Sequence, residues 1–433
     1  MTSANINNAM LSYIQDSPTP FHAVKGLQDK LHAKGFERLC EGATWNLQAN
    51  GRYYVTRNDS AIIAFKVGNQ NPLKNGVAIA GAHTDSPCLK VKPNPEIIEK
   101  NYLQLAVEVY GGALLSPWFD RDLSLAGRVD YRTNHGKLSS ALINFEKPIA
   151  FIQSLAIHLD RTANEGRKIN PQTEMAPIVL QLINGEKRTL DDLIHHQLIA
   201  QKHLDVQKVL SHELLFYDVQ PPNVIGFDQQ FIAGARLDNL ISCYVICEAL
   251  CDSKDGETSL IVCNDHEEVG SASIVGAQGP FLRSVLERLT GSSSPEEFSR
   301  FMHKSLMLSV DNAHGVHPNF VNKHDKNHGP ILNKGPVVKL NANQRYATSG
   351  FSHAVFSSLC ERVGVPYQSF VMRSDMGCGS TIGPITSAEV GVKTVDVGVA
   401  TFGMHSVREL AGSSDIHLMA KVITEFFSSR EWL

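Results

Sequence analysis

Apolar and polar residues alternate at helical spacing through residues 1–30, with breaks at Pro18 and Pro20. Two runs that are apolar almost throughout, AIIAFKVG and GVAIAGAH, flank a turn at Asn71 to Gly76 and are predicted as strands, the second ending at His83. From about 91 to 233 the texture changes to short β-like segments: YLQLAVEVY, SLAGRVDYR, SALINF, APIVLQLI and ELLFYDV. One helical stretch near QTEMAPIVLQ to DLIHHQLIAQ interrupts them, and turn residues at PPNVIG close the region. After 234, LDNLISCYVICEALCD, GPFLRSVLERLTG, FSHAVFSSLCERVG and SDIHLMAKVITEFFSS read as helices, alternating with SLIVCND, SLMLSVD and KTVDVGV as strands. That alternation predicts an α/β fold, a central mixed sheet flanked by helices, with 91–233 as an inserted β-rich domain. The polar stretches GSSSPEEFSR and NKHDKNHGP read as surface loops.

Length agrees with an insertion, since 433 residues exceed the roughly 250–300 at which one hydrophobic core stops growing. Apolar residues at 42% and charged residues at 19% exclude a disordered chain. Lys and Arg number 40 against 44 Asp and Glu, and no basic run occurs, so nucleic acid is not an expected partner. No basic start followed by an apolar stretch, and no run of 18 uncharged apolar residues, predicts secretion or a membrane span. Eight cysteines without a C-x-x-C pair, mostly inside apolar runs, read as free thiols in a reducing, cytoplasmic setting.

Candidate chemistry collects at the carboxyl ends of the predicted strands: His83, Glu267 with Glu268, Asp311 and His405. Ligands of open α/β sheets bind at that edge. Asp238, in GARLDNL, opens a helical run, where capping is an alternative account. Together His83, Asp238, Glu268, Asp311 and His405 suit two borderline metal ions bridged by one carboxylate. Three carboxylates and one hydroxide would neutralise two Zn²⁺, leaving no unpaired buried charge. The helical H-E-x-x-H motif fails because Gly270 stands at its fifth position, and neither G-x-S-x-G nor a dinucleotide or phosphate loop is present.

At these residues the sequence resembles the aspartyl aminopeptidase family, the tetrahedral dizinc aminopeptidases that include vacuolar aminopeptidase I. The resemblance runs through AGAHTDSPCLKVKPNP, SPWFDRDLSLAGRV, LAIHLDR, GARLDNL, NDHEEVGS, SVDNAHGVHPN, GPVVKLNANQRYA and GMHSVRE. It implies that His83 and Asp311 hold one Zn²⁺, Glu268 and His405 another, and that Asp238 bridges them, with Mn²⁺ or Co²⁺ as substitutes. Glu267 falls on the family's general base, acting on a metal-bridged water. Asp85 falls on an aspartate that orients the His83 imidazole, a turn-forming Asp being the alternative. His158, otherwise a helix-surface residue, resembles a histidine that reaches a neighbouring subunit's site. His314 and Lys339 match substrate-pocket positions, Lys339 offering charge to an acidic first side chain unless it is merely a strand-edge lysine.

The expectation is therefore a cytoplasmic zinc aminopeptidase acting on peptides, with an acidic first residue as a candidate preference. Its catalytic domain would comprise 1–90 and 234–433, and 91–233 would be an oligomerisation or lid domain of a homo-oligomer, a dodecamer by resemblance. Rival readings are a dizinc carboxypeptidase or deacylase, and a non-catalytic scaffold of the same fold.

Overall fold

The computed structural model describes residues 3–183, 186–291 and 293–430. Contacts divide the chain into two units, one of Met1–Asp85, Pro222–Met404 and Glu409–Leu433, the other of Ser86–Pro221 and His405–Arg408.

The first unit is built on a nine-stranded mixed sheet. At its centre Ser259–Asn264, Ala78–His83, Leu306–Val310 and Lys393–Gly398 run parallel, and antiparallel neighbours flank them. Period-two geometry sends successive side chains of these apolar strands to opposite faces. Ala78, Ala80, Ile261 and Cys263 pack with the helices Ser3–Gln15, Pro20–Ala33, Leu237–Asp252 and Asp415–Ser428. Ile79, Leu260 and Val262 pack with Phe281–Leu289, Pro295–His303 and Ile382–Val390. Each large aliphatic side chain so buried contributes about 1.5–3 kcal/mol. Both faces are covered, which is why the strands read as continuous apolar runs. The Leu237–Asp252 helix is buried from Leu237 through Cys251, as its apolar circumference requires.

A second, five-stranded sheet of this unit joins Asn223–Ile225, Phe231–Gly234, Glu409–Gly412, Ala400–Phe402 and Ala313–His314. Residues 223–233 therefore pair within the first unit.

The other unit is a six-stranded antiparallel sheet of Leu138–Asn144, Leu123–Arg132, Lys208–Asp218, Cys88–Glu99, Tyr102–Tyr110 and Ile178–Gln181. It has its own core, to which the helix Leu190–Ala200 adds Leu190, Ile194 and Leu198.

Two sequence expectations are corrected and one alternative reading is set aside. The single helical stretch from QTEMAPIVLQ onward is two helices, Pro171–Glu174 and Leu190–Ala200, with a strand between them, because Pro177 disfavours helix before it and Ile178 and Val179 favour strand. GSSSPEEFSR is not simply a loop: Ser294 and Glu297 form a capping box, Pro295 occupies the first turn, and the helix runs to His303. Residue 292 of that stretch lies outside the described residues. Asp238 is not a helix cap, since Arg236 holds the cap position and Asp238 has non-helical φ and ψ within the first turn. The eight cysteines are free, six of them buried. Among the described residues no helix is long and apolar enough to cross a membrane.

Candidate metal centre

His83 ends its strand, and the neighbouring parallel strand leads through Asn264 and Asp265 into the turn Glu267–Val269. Gly270 closes that turn at a φ of 96°, a left-handed conformation suited to glycine, and its N–H donates to the Glu267 carbonyl at 2.9 Å. Asp311 follows the third parallel strand directly. One edge of the sheet thereby gathers groups from distant parts of the chain.

Ligand-capable atoms of His83, Asp238 and Glu268 lie within 4.8 Å of one another. His83 Nε2 stands 3.5 Å from Asp238 Oδ1 and 3.6 Å from Asp311 Oδ1. The other ring nitrogen, Nδ1, is 3.0 Å from the Asp85 backbone carbonyl and 3.4 Å from its carboxylate. With a metal bound, a proton kept on that side would leave the Nε2 lone pair free to serve as a ligand.

Asp85 is fully buried and does more than face the imidazole. Its two oxygens accept the backbone N–H groups of Glu267 and Glu268, each at 3.1 Å, so one carboxylate anchors the turn that presents both glutamates. Glu409 acts similarly on Asp238, accepting its N–H at 2.8 Å. The Asn239 side chain holds the same segment by donating to the Val310 carbonyl at 2.9 Å. Sequence reasoning overlooked Glu409, although it ends the GMHSVRE motif that carries His405.

Lys339 is 2% exposed. Its ammonium donates to Asp311 Oδ2 at 3.2 Å and to the Asn312 carbonyl at 3.1 Å. Its charge is thus directed at Asp311. Asp311 Oδ1, also buried, faces His83 Nε2 at 3.6 Å and has no closer partner.

The electrostatics show how much negative charge is concentrated here. Burial pushes the Glu267 carboxyl up to about 7, an effect the nearby Asp311, Asp85 and Asp238 reinforce and His83 opposes. Burial raises Glu268 as well, and Asp238 adds to it. Burial disfavours a charged His83, yet hydrogen bonds to Asp238, Asp311 and Asp85 hold its pKa above the ordinary imidazole range. Asp311 is raised by burial but held below the usual carboxylate range by Lys339 and His83. Grouped carboxylates of this kind are stabilised by a bound cation. One imidazole and three carboxylates, with Asp311 Oδ1 turned towards His83 Nε2 at 3.6 Å, form a donor set that fits zinc.

His314 lies on the strand Ala313–His314, its ring edge-on to Phe370 at 5.8 Å. It lines a cavity of about 250 Å³ with His317, Lys323, His324, Arg373 and Phe402 among others. His405 groups with the second unit, where its Nδ1 is 3.2 Å from the Gly112 carbonyl. His158 is exposed in a turn of that unit and is not on a helix.

An α/β sheet whose carboxyl edge gathers a histidine and buried carboxylates around one small volume has the donor set of a metal-dependent enzyme. The chain belongs to the aminopeptidase I zinc metalloprotease family M18, whose family model matches residues 13–427. It is 55% identical over 428 residues to a probable M18 family aminopeptidase 2 of Pseudomonas aeruginosa, covering 99% of both chains. The chain is accordingly a zinc metalloaminopeptidase with bacterial relatives. Among solved structures it resembles Ape4, from an Ape4 and Nbr1 complex, with a TM-score of 0.95 and 36% identity over 98% of this chain and 86% of that one. It also resembles the S. cerevisiae mApe1 dodecamer, with a TM-score of 0.85 and 28% identity over 99% and 97%.

Proposed function

We propose that this chain removes the N-terminal residue from peptides at a two-zinc centre, with Glu267 as general base. The observation that carries the reading is the convergence of His83, Asp238, Glu268 and Asp311 beside a glutamate that is free of the ligand role. In this assignment His83 and Asp311 would hold one zinc, Glu268 and His405 the other, and Asp238 would serve both; the part of His405 rests on the resemblance. When bound, the metals supply a water of lowered pKa and polarise the scissile carbonyl. Glu267 accepts the proton of the attacking water and passes it to the leaving amine. Asp85 holds the backbone of Glu267 and Glu268 in register for this. Lys339 orients Asp311, and in this reading its charge serves that carboxylate rather than the substrate.

An acidic first residue is the proposed preference. The cavity beginning at His314, three residues after Asp311, is lined by Lys323, Arg373 and three histidines, the Arg373 guanidinium being paired with Asp375 at its rim. The test offers Asp, Glu, Leu and Met aminoacyl anilides beside N-blocked and C-terminal substrates, with Zn²⁺, Mn²⁺ or Co²⁺ added separately. Cleavage of free-amino substrates is expected, fastest for Asp and Glu. Cleavage of blocked substrates alone would instead mark a carboxypeptidase or deacylase. The intact base and ligand set argue against a scaffold, which has no use for either.

A homo-oligomer, a dodecamer like mApe1, is proposed on the fold likeness and on the apolar surface around His158, where Phe151, Leu155, Ile157 and Leu159 are exposed. Free, mostly buried thiols favour the cytoplasm. His158→Ala is expected to lower turnover about 100-fold, the lower end of the range for an acid–base or stabilising group, while bound zinc stays constant. Turnover and metal analysis on the assembled protein check this, and loss of metal would place His158 among the ligands instead.

A further inference from the structure

At the opposite end of the central strands from His83 and Asp311, a pocket of about 330 Å³ is lined by Lys74, His303, Lys304, Ser305, Leu306, Phe351 and Lys393. Leu306 and Lys393 are the first residues of their strands, so about 17 Å of strand separates the pocket from the catalytic edge. Three lysines and a histidine line it, with no carboxylate in the lining, in a chain whose net charge is −4. Among the described residues none of the three lysines, nor His303, is paired with an acidic side chain.

Two ammonium groups are fixed in place by backbone carbonyls. Lys304 Nζ donates to the Lys74 carbonyl at 2.9 Å, and Lys393 Nζ to the His303 carbonyl at 2.7 Å. An ammonium has three donors, so each keeps two for a ligand. His303 and Lys304 also complement the carboxyl end of the Pro295–His303 helix, but that role does not require Lys74 and Lys393 to meet them. One wall is Phe351, a 55% exposed ring with Lys393 Nζ 5.7 Å from its centroid. Phe351 stands in the first turn of the 13-residue helix Gly350–Arg362, whose amino end adds positive potential.

We infer that this pocket binds a nucleoside phosphate, its phosphate held by Lys304, Lys393 and Lys74 and its base stacked on Phe351. The volume admits a mononucleotide, and the paired features, concentrated cation donors and an exposed flat ring, match the two chemically distinct halves of that ligand. Binding is expected to weaken with salt, as contacts between exposed charges do.

Isothermal titration of the zinc-loaded full chain with AMP, inorganic phosphate and adenosine tests the assignment. AMP should bind saturably and more tightly than either fragment. Lys304→Gln with Lys393→Gln should weaken AMP about 100-fold, about tenfold for each charged hydrogen bond lost. Phe351→Ala should weaken AMP but leave inorganic phosphate unchanged. All three substitutions lie far from the metal ligands and should leave basal peptidase activity intact, which reports folding. Absence of saturable AMP binding up to about 10 mM, or an AMP affinity unaltered by the double substitution, overturns the proposal. Equal loss of AMP and phosphate in Phe351→Ala overturns the stacking role.

Discussion

Glu267→Gln is expected to lower kcat by about 10²–10⁴-fold, or about 3–5 kcal/mol of transition-state stabilisation, with zinc content unchanged. Glutamine has nearly the size and shape of glutamate. The bonds that place residue 267 are made by its backbone, whose N–H donates to Asp85, so the turn survives the change. What disappears is a group that takes up a proton and releases it. Glu268, one residue on, lies instead in the cluster with His83 and Asp238, so the metal set is untouched. Turnover of an aminoacyl anilide and elemental analysis of the same sample check both halves of the statement. Near wild-type turnover removes Glu267 from its role, and loss of zinc moves it into the ligand set.

How much of this could be read from the sequence follows from how local each cause is. The parallel strands were visible because burial on both faces leaves them no polar positions, as in GVAIAGAH and SLIVCND. The Leu237–Asp252 helix was visible for the same reason. The strand Cys88–Glu99 was not, because Pro93 and Pro95 argue against a strand; the register shifts between Val91 and Glu96, where the ladder does not need their missing N–H groups. The helix Pro295–His303 was hidden by a Ser, Pro and Glu composition that belongs equally to loops and to helix starts.

The same distinction holds at the site. His83, Glu268 and Asp311 follow strands, so topology alone predicts that they share an edge. Asp238 offered no such cue, and its capping alternative fell only with the observed backbone. Partners set by tertiary contact were out of reach. Nothing local says that Lys339 is buried against Asp311, that Glu409 accepts the Asp238 N–H, or that Asp85 supports two glutamates 182 and 183 positions later.

Asp238→Asn is expected to weaken zinc binding by more than about 100-fold, beyond the 10- to 100-fold typical of groups that only support a ligand, and to abolish activity at matched zinc. The side chain keeps its shape but loses the charge that the proposed bridging position requires. Its backbone N–H still reaches Glu409, so the helix start is preserved. Stability should separate this loss from misfolding. Metal-free, the wild type crowds Asp238 against Glu267 and Glu268, whose carboxyls it pushes up, while Asp238 also favours a charged His83. Neutralising Asp238 relieves the first effect and forfeits the second, leaving metal-free stability within about 1 kcal/mol of wild type. Zinc at a hundredfold excess over its Kd should stabilise the wild type by about 2.7 kcal/mol through linkage, and at that same concentration should leave the variant almost unaffected. Thermal melts with and without zinc, together with dialysis against defined zinc concentrations, measure both quantities. A variant that keeps a wild-type zinc-induced shift would show that Asp238 does not hold the metal, and a variant destabilised without zinc would assign it a structural role.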